Sequence, residues 1–450
     1  MPLKPKTKNE HPTREHQMSS QFHRTTALPW AFFMLNHSNP HRYPYVQRQA
    51  RLRDLFSQQP ARIQLEPGQA WIHNLEFQSQ PHPFARDEYH IRDSAFQALL
   101  RYFLDRNRYS KEYIFQSLQI RDREVQENHT FRYTIFTPAP HKARSAIFLF
   151  HGLNEKRWDK YLAWAERLMQ LTGKAVVLFP IAFHMNRALQ PWSDPRLMSE
   201  VSRERKSLFP DVQSSSFANA AISHRLQFAP QRFLLSGIQT FYDLVRLGDD
   251  IVSGQHPLFE AETRIDFFAY SIGALLAQIL VMANPNKLFD PTRLFMFAGG
   301  AALNLIRPTS KLILDSEASD AVTSFFNKIF DPVFKTDPMV APFVEHKSTE
   351  MKFFKSMLRS EHMVSVREKR LKQLGERIMT VALAQDQVFP VQGLQNTLKS
   401  ERTKNRGKFL TLDFPFTYTH ENPFPLKSST PAAVDTCFSQ VIELAGEHLG

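Results

Sequence analysis

Cysteine is almost missing from these 450 residues: Cys437 stands alone, so no disulfide within the chain can help hold it together. Glycine is sparse, with 14 residues against 29 prolines, which points to fixed turns and long connecting segments. No secretory leader is expected, because the basic start MPLKPKTKNEHPTREHQMSS has no apolar stretch behind it; a cytoplasmic protein is the resulting expectation. Only Phe267 to Ala283 is apolar for long enough to raise a membrane span. Ser271, Gly273 and Gln278 interrupt it, and its character changes from strand to helix, so no span is expected. Zinc-ligand spacings, phosphate-binding loops, dinucleotide fingerprints and internal repeats are all missing. The sequence therefore asks for no metal and no organic cofactor.

What is present is the composition of a globular protein, 42% apolar and 22% charged. The formal charge of +12 could attract acidic partners, but the excess is spread out. Residues 1–28 hold three lysines and two arginines against two glutamates, a net of +3 that leaves +9 on the rest. No run interleaves basic and aromatic residues along a phosphate backbone, so nucleic-acid binding is not expected. Arg367, Lys369, Arg370 and Lys372 form a cluster broken by Glu368, which reads as the solvated face of a helix.

Residues 1–28 are polar and non-periodic and are expected to be a disordered tail. Residues 29–114 read as a partly helical N-terminal extension. Its clearest helix starts at Asp93, with Phe96, Leu99, Leu100 and Phe103 on one face. Around Phe131 to Phe136 the alternation FRYTIF predicts a strand, with ENHT before it as a turn.

From there to residue 450 strands alternate with helices, which predicts an α/β domain with a mostly parallel sheet covered on both faces. Strands are expected at Ala146 to Phe150, Ala175 to Phe179, Ile265 to Tyr270, Leu294 to Ala298, Ile378 to Leu383 and Phe409 to Leu412. One helix carries Trp158, Leu162, Ala165 and Met169, with Gly173 placed to end it. Another carries Leu234, Ile238, Phe241, Leu244 and Val245. The last has Thr430 as N-cap and Pro431 at its first position, and buries Val434, Phe438, Val441 and Ile442. Residues 180–230 and about 300–376 interrupt the alternation. The second segment, with Leu312, Val322, Phe325, Phe326 and Phe330, is too long and apolar for a linker and is expected to be a helical cap. Those side chains either cover a site or form the cap's own core, the second being preferred.

Ile265 to Leu280 places a serine between a strand and a helix as small-x-Ser-x-small: Ala269, Tyr270, Ser271, Ile272, Gly273. A nucleophile on such a sharp turn needs small residues two positions to either side, and the new helix's N-terminus favours negative charge nearby. A buried serine in an ordinary strand–helix connection fits the same letters. The pentapeptide resembles the nucleophile elbow G-x-S-x-G of the α/β-hydrolase family, with Ala269 in place of the first glycine. His151-Gly152-Leu153-Asn154, after the strand AIFLF, resembles that family's oxyanion loop. The resemblance implies that the backbone amides of Leu153 and Ile272 form the oxyanion hole, and that His151 is structural. Asp386, in Ala384-Gln385-Asp386-Gln387-Val388-Phe389-Pro390, sits where the family's acid follows strand seven, although a turn or capping aspartate would look alike. His420, in PFTYTHENPF, follows the last strand as the family's base does. It has no rival on that loop, His448 lying at the end of the last helix, and a surface histidine is the alternative.

The order Ser, Asp, His is that of the α/β-hydrolases. The resemblance covers about residues 115–450 and extends to an uncharacterised bacterial family of this fold. It implies a catalytic triad of Ser271, Asp386 and His420 acting on a small-molecule acyl substrate, an ester first. A serine peptidase or amidase, or a non-catalytic binding protein, remains open on the same scaffold. Beyond the triad, His184 and Arg187 could line a pocket, with surface loop positions preferred, and Trp158 and Trp192 are expected to be packing aromatics.

Overall fold

The apolar runs become strands β4 (Ala143–Phe150), β5 (Ala175–Leu178), β6 (Phe259–Tyr270), β7 (Leu294–Phe297), β8 (Ile378–Leu383) and β9 (Lys408–Leu412) of one sheet. In this computed structural model the described residues are 44–57, 60–66, 70–80, 118, 120–138, 141–329, 348–398 and 407–450. The expected tail over 1–28, the helix from Asp93 through Phe103, and Phe330 lie outside them. Three further strands, β1 (Arg62–Glu66), β2 (Ala70–Gln78) and β3 (Thr130–Thr137), extend the sheet at one edge. The segment ENHT ahead of β3 enters it through one helical turn, Gln126–His129.

The strand order is β1-β2-β3-β5-β4-β6-β7-β8-β9. Pairing is antiparallel from β1 to β5 and parallel from β5 to β9. This is an α/β-hydrolase sheet. From β4 the chain moves one place to β5, then crosses back to β6 on the other side of β4. That reversal opens a crevice at the carboxyl ends of β4 and β6, where doubly wound folds bind ligands. Although β1 and β2 belong to the expected extension, β2 pairs with β3 from Trp71↔Thr137 to Gln78↔Thr130 and shares its core.

The helices are α1 (Tyr45–Phe56), α2 (Asp159–Thr172), α3 (Pro195–Leu208), α4 (Ala220–Phe228), α5 (Arg232–Val252) and α6 (Ile272–Ala283). They continue with α7 (Ser316–Ser324), α8 (Thr349–Leu358), α9 (Val364–Leu374), α10 (Val391–Leu398) and α11 (Pro431–Leu449). Alternation along β4 explains how the faces are divided. Ala146, Phe148 and Phe150 point into the core under α5, α6 and α8, while Ile147 and Leu149 point into the core under α1, α2 and α11. The apolar stretch from Phe267 is thus the buried end of β6, up to Tyr270, followed by the helix α6, Ile272–Ala283. No helix among the described residues is long and apolar enough to cross a membrane. Gly173, at φ 67°, ends α2 as expected. Thr430 occupies the N-cap position of α11, but its hydroxyl lies beside that of Ser428, 3.2 Å away, and caps no amide.

The two interrupting segments meet. From 300–376, α7 packs on α4 of the 180–230 segment, whereas α8 and α9 pack on α6. Val322, Phe325 and Phe326 are buried in the main core and Leu312 is exposed. The basic cluster is not a solvated face throughout: Lys369 and Lys372 are exposed, but Arg367 is buried and donates to the carbonyls of Ser356 and Ser360. Arg370 donates to the carbonyls of Met282 (3.0 Å) and Val281 (3.1 Å) at the end of α6. Both guanidiniums satisfy helix-end carbonyls that would otherwise lack donors.

Candidate active site

The chain leaves the carboxyl ends of β6, β8 and β9 at Ser271, at the turn holding Asp386, and at the loop holding His420. Ser271 joins β6 to α6 with φ 58° and ψ −129°, a conformation open to glycine but strained for a residue with a Cβ. Its surroundings impose it. The Ser271 amide donates to Phe297 O at 3.2 Å, and Ser271 O accepts from the Ala274 amide at 3.0 Å. A Cβ on Gly273 would stand 2.7 Å from the His151 carbonyl oxygen and 2.7 Å from Phe150 Cβ, so glycine lets α6 start against β4. Gly299, beyond β7, backs the serine even more closely: a Cβ there would stand 2.3 Å from Ser271 O. Gly299→Ala is expected to destabilise the protein by about 1–3 kcal/mol, read as a lower urea midpoint; an unchanged midpoint would mean that the turn yields.

The structure brings the three singled-out side chains into one line. Ser271 Oγ lies 2.7 Å from His420 Nε2, and His420 Nδ1 lies 2.7 Å from Asp386 Oδ2. The other Asp386 oxygen accepts from the amides of Val388 (2.8 Å) and Phe389 (2.9 Å). Asp386 is therefore both a turn aspartate and the partner of the histidine. All three residues are buried, at 2%, 4% and 3% exposure for Ser271, Asp386 and His420, so each hydrogen bond acts where water screens little.

The ring of His420 is clamped. Tyr270 stacks on one side (centroids 5.5 Å apart, planes at 11°) and Phe389 stacks nearby as well (5.2 Å, 23°). The Tyr270 hydroxyl donates to the His420 carbonyl. Lys160 donates to the neighbouring Glu421 carbonyl at 3.0 Å and pairs with Glu155 at 2.5 Å, tying the histidine loop to the loop after β4. The Tyr161 hydroxyl accepts from the Gly152 amide (3.0 Å) and donates to Glu155 (2.7 Å). Burial raises the pKa of both tyrosines well above the phenol range, so both keep their protons. None of these supporting residues was read from the sequence. Tyr270 fills an unspecified position of the elbow, and Phe389 follows Asp386 at a spacing any turn allows.

Around β4 the hydrogen bonds of His151 fix an amide direction. Its Nδ1 lies 2.8 Å from Gly152 O, and its Nε2 accepts from the Ile181 amide at 2.9 Å. The ring is thus a neutral Nδ1–H tautomer, and burial drives its pKa well below the usual value. A trans peptide is planar, so anchoring the Gly152 carbonyl on His151 aims the Leu153 N–H the opposite way. A Cβ on Gly152 would stand 3.4 Å from Ser271 Cβ, which puts this loop against the serine. Among the described residues, neither the Leu153 nor the Ile272 amide has a hydrogen-bond acceptor.

Two expectations fail. His184 and Arg187 are buried rather than on a surface loop. Arg187 donates to Asp243 (2.9 Å), Asn128 (3.1 Å) and Pro180 O (3.1 Å), with Phe131 under its guanidinium at 4.0 Å. A buried charge persists only when paired in this way, and Asp243, 56 residues away, supplies the partner. His184 lines a cavity beside the loop after β4. Trp158 and Trp192 are buried as expected, and Trp192 lies 4.1 Å under Arg225.

A family profile described as a family of unknown function matches residues 43–450. No curated protein matches the sequence. Among solved structures, an esterase from Pseudomonas putida is 9% identical, aligned over 91% of this chain and 93% of its own, with a TM-score of 0.40. Carboxyl esterase 2 from the fungus Tuber melanosporum is 11% identical over 71% of this chain and 81% of its own, with a TM-score of 0.39. An esterase from Pyrobaculum calidifontis is 12% identical over 78% and 99%, with a TM-score of 0.38.

Proposed function

We propose that this chain, which belongs to the family of unknown function DUF6051, is a serine hydrolase that cleaves a carboxylic ester through an acyl-enzyme intermediate. The observation that carries this reading is the unbroken line from Ser271 Oγ through His420 to Asp386, with 2.7 Å at each step.

His420 Nε2 takes the proton of Ser271 as Oγ attacks the acyl carbon, and Asp386 holds the imidazole with Nδ1–H toward itself. The carbonyl oxygen gains negative charge as the tetrahedral intermediate forms. It is met by the amides of Leu153 and Ile272, the second at the positive end of α6. On collapse the bond to the leaving alcohol breaks and His420 returns its proton to that oxygen. A water then gives a proton to His420 and attacks the acyl-serine, releasing the acid and restoring the serine. The strained turn at Ser271 fits this role, since strain of this kind gathers where a side chain must be held in one place.

The test is a fluorophosphonate probe, which phosphonylates only an activated serine. One adduct per folded molecule, mapped by mass spectrometry to the peptide containing Ser271, is the expected result. A folded protein that remains unlabelled, or is labelled elsewhere, overturns the reading.

A further inference from the structure

One cavity of about 60 Å³ is lined by Leu153, in the loop after β4, together with residues of α4 and of the start of α5. Much of its wall is apolar, and its polar groups are unequally matched. Lys156 lines it and, among the described residues, has no hydrogen bond or ion pair. The neighbouring carboxylate, Glu155, is already engaged by Lys160 and by the Tyr161 hydroxyl. Arg225 and Arg232 also line the cavity, and both are tied to one carboxylate, Asp122. Among the described residues, three cationic side chains therefore line this space.

Two buried acceptors complete the lining. His184 donates from Nδ1 to Ala182 O at 2.9 Å and leaves Nε2 without a partner. Burial lowers its pKa to about 4, so that nitrogen presents a lone pair. Asn154 spends its amide hydrogens on Ala218 O (2.9 Å) and Leu312 O (2.7 Å), leaving Oδ1 buried and unpartnered. Unmatched buried polar atoms such as His184 Nε2 and Asn154 Oδ1 are costly to leave alone, and burial already pulls the Lys156 pKa down to about 8 against the opposing charge of Glu155.

Resting on the ester-hydrolase reading, we infer that this cavity is a substrate subsite for a carboxylate, held by Lys156, with His184 Nε2 and Asn154 Oδ1 as acceptors for O–H or N–H donors beside it. Leu153, whose amide the hydrolase reading assigns to the oxyanion, shares this lining with Lys156, so the inference places the carboxylate and the scissile carbonyl on one short substrate. The substrate class is a short ester bearing a carboxylate, and Lys156 determines the specificity.

The experiment compares kcat/KM for p-nitrophenyl hydrogen glutarate and p-nitrophenyl valerate, and likewise for butyryl esters of glycolate and of ethanol, in wild type, Lys156→Met and Lys156→Arg. A charge-assisted contact predicts at least about a tenfold preference for the charged member of one pair. Lys156→Met brings that ratio to about one, and Lys156→Arg retains most of it. A wild-type ratio near one in both pairs, or a ratio untouched by Lys156→Met, overturns the inference. A second measurement separates this result from failure of the hydrolase reading. In a Ser271→Ala background, calorimetric binding of monomethyl glutarate that disappears on adding Lys156→Met supports the subsite even if no ester is turned over. No binding there counts against it.

Discussion

Ser271→Ala is expected to lower kcat for an activated ester by about 10⁴- to 10⁶-fold while leaving the thermal midpoint nearly unchanged. Both parts follow from the local geometry. The substitution removes only Oγ, the atom 2.7 Å from His420. The Cβ and the backbone at φ 58°, ψ −129° are shared by serine and alanine, so the strain of the turn is neither relieved nor increased. Ser271→Gly separates the two effects. It removes the nucleophile equally but also removes the Cβ that makes this conformation unfavourable, so it is expected to raise stability by about 1 kcal/mol. Activity in the alanine variant within tenfold of wild type would show that Ser271 is not the nucleophile. A glycine variant less stable than alanine would show that the turn is not strained.

The parallel half of the sheet was legible because burial on both faces leaves a strand almost no polar residues. AIFLF and IMTVAL have apolar side chains in both directions, and β4 indeed divides its residues between two cores. Of the antiparallel edge only β3 was legible, through the alternation FRYTIF; β1 and β2 were not, for the converse reason. In β2 the sequence AWIHNLEFQ places His73 and Asn74 next to each other inside the fold, and each is satisfied by a partner remote in sequence, Thr137 and Thr134. Only the completed pairing with β3 shows those polar atoms to be matched.

The same distinction runs through the site. Ser271, Asp386 and His420 were visible because each lies just past a strand whose own apolar pattern announces it. The cations buried or half-buried elsewhere in the fold were not, because their positions are set by distant partners. Arg187 reads as a loop cation until Asp243 is placed against it. Arg370 reads as solvated until the carbonyls at the end of α6 are brought beneath it. Charge pattern along the chain says nothing of such pairings, so an isolated arginine is read by default as exposed. Lys156 goes one step further, since the role proposed for it rests on its having, among the described residues, no partner of the kind that Arg187 and Arg370 have.

Asp386→Asn is expected to lower kcat by about 10⁴-fold without unfolding the protein. Asp386 is buried, and its two oxygens have different tasks. Oδ1 accepts from the amides of Val388 and Phe389, while Oδ2 faces His420 Nδ1. An asparagine must keep its carbonyl oxygen on the two amides, because its NH2 group would meet two donors there. The NH2 group then points at His420 and donates to Nδ1. That reverses the imidazole tautomer: Nε2 carries the hydrogen and donates to Ser271 Oγ instead of accepting from it, and the serine has no base. The Tyr270 and Phe389 rings continue to hold the imidazole plane, so the loss is one of proton placement and not of position. Two measurements follow: kcat for an activated ester, and the rate of fluorophosphonate labelling at Ser271, both expected to fall together while the thermal midpoint changes little. Labelling as fast in Asp386→Asn as in wild type would remove Asp386 from the proposed triad and leave it as the aspartate that closes the turn after β8.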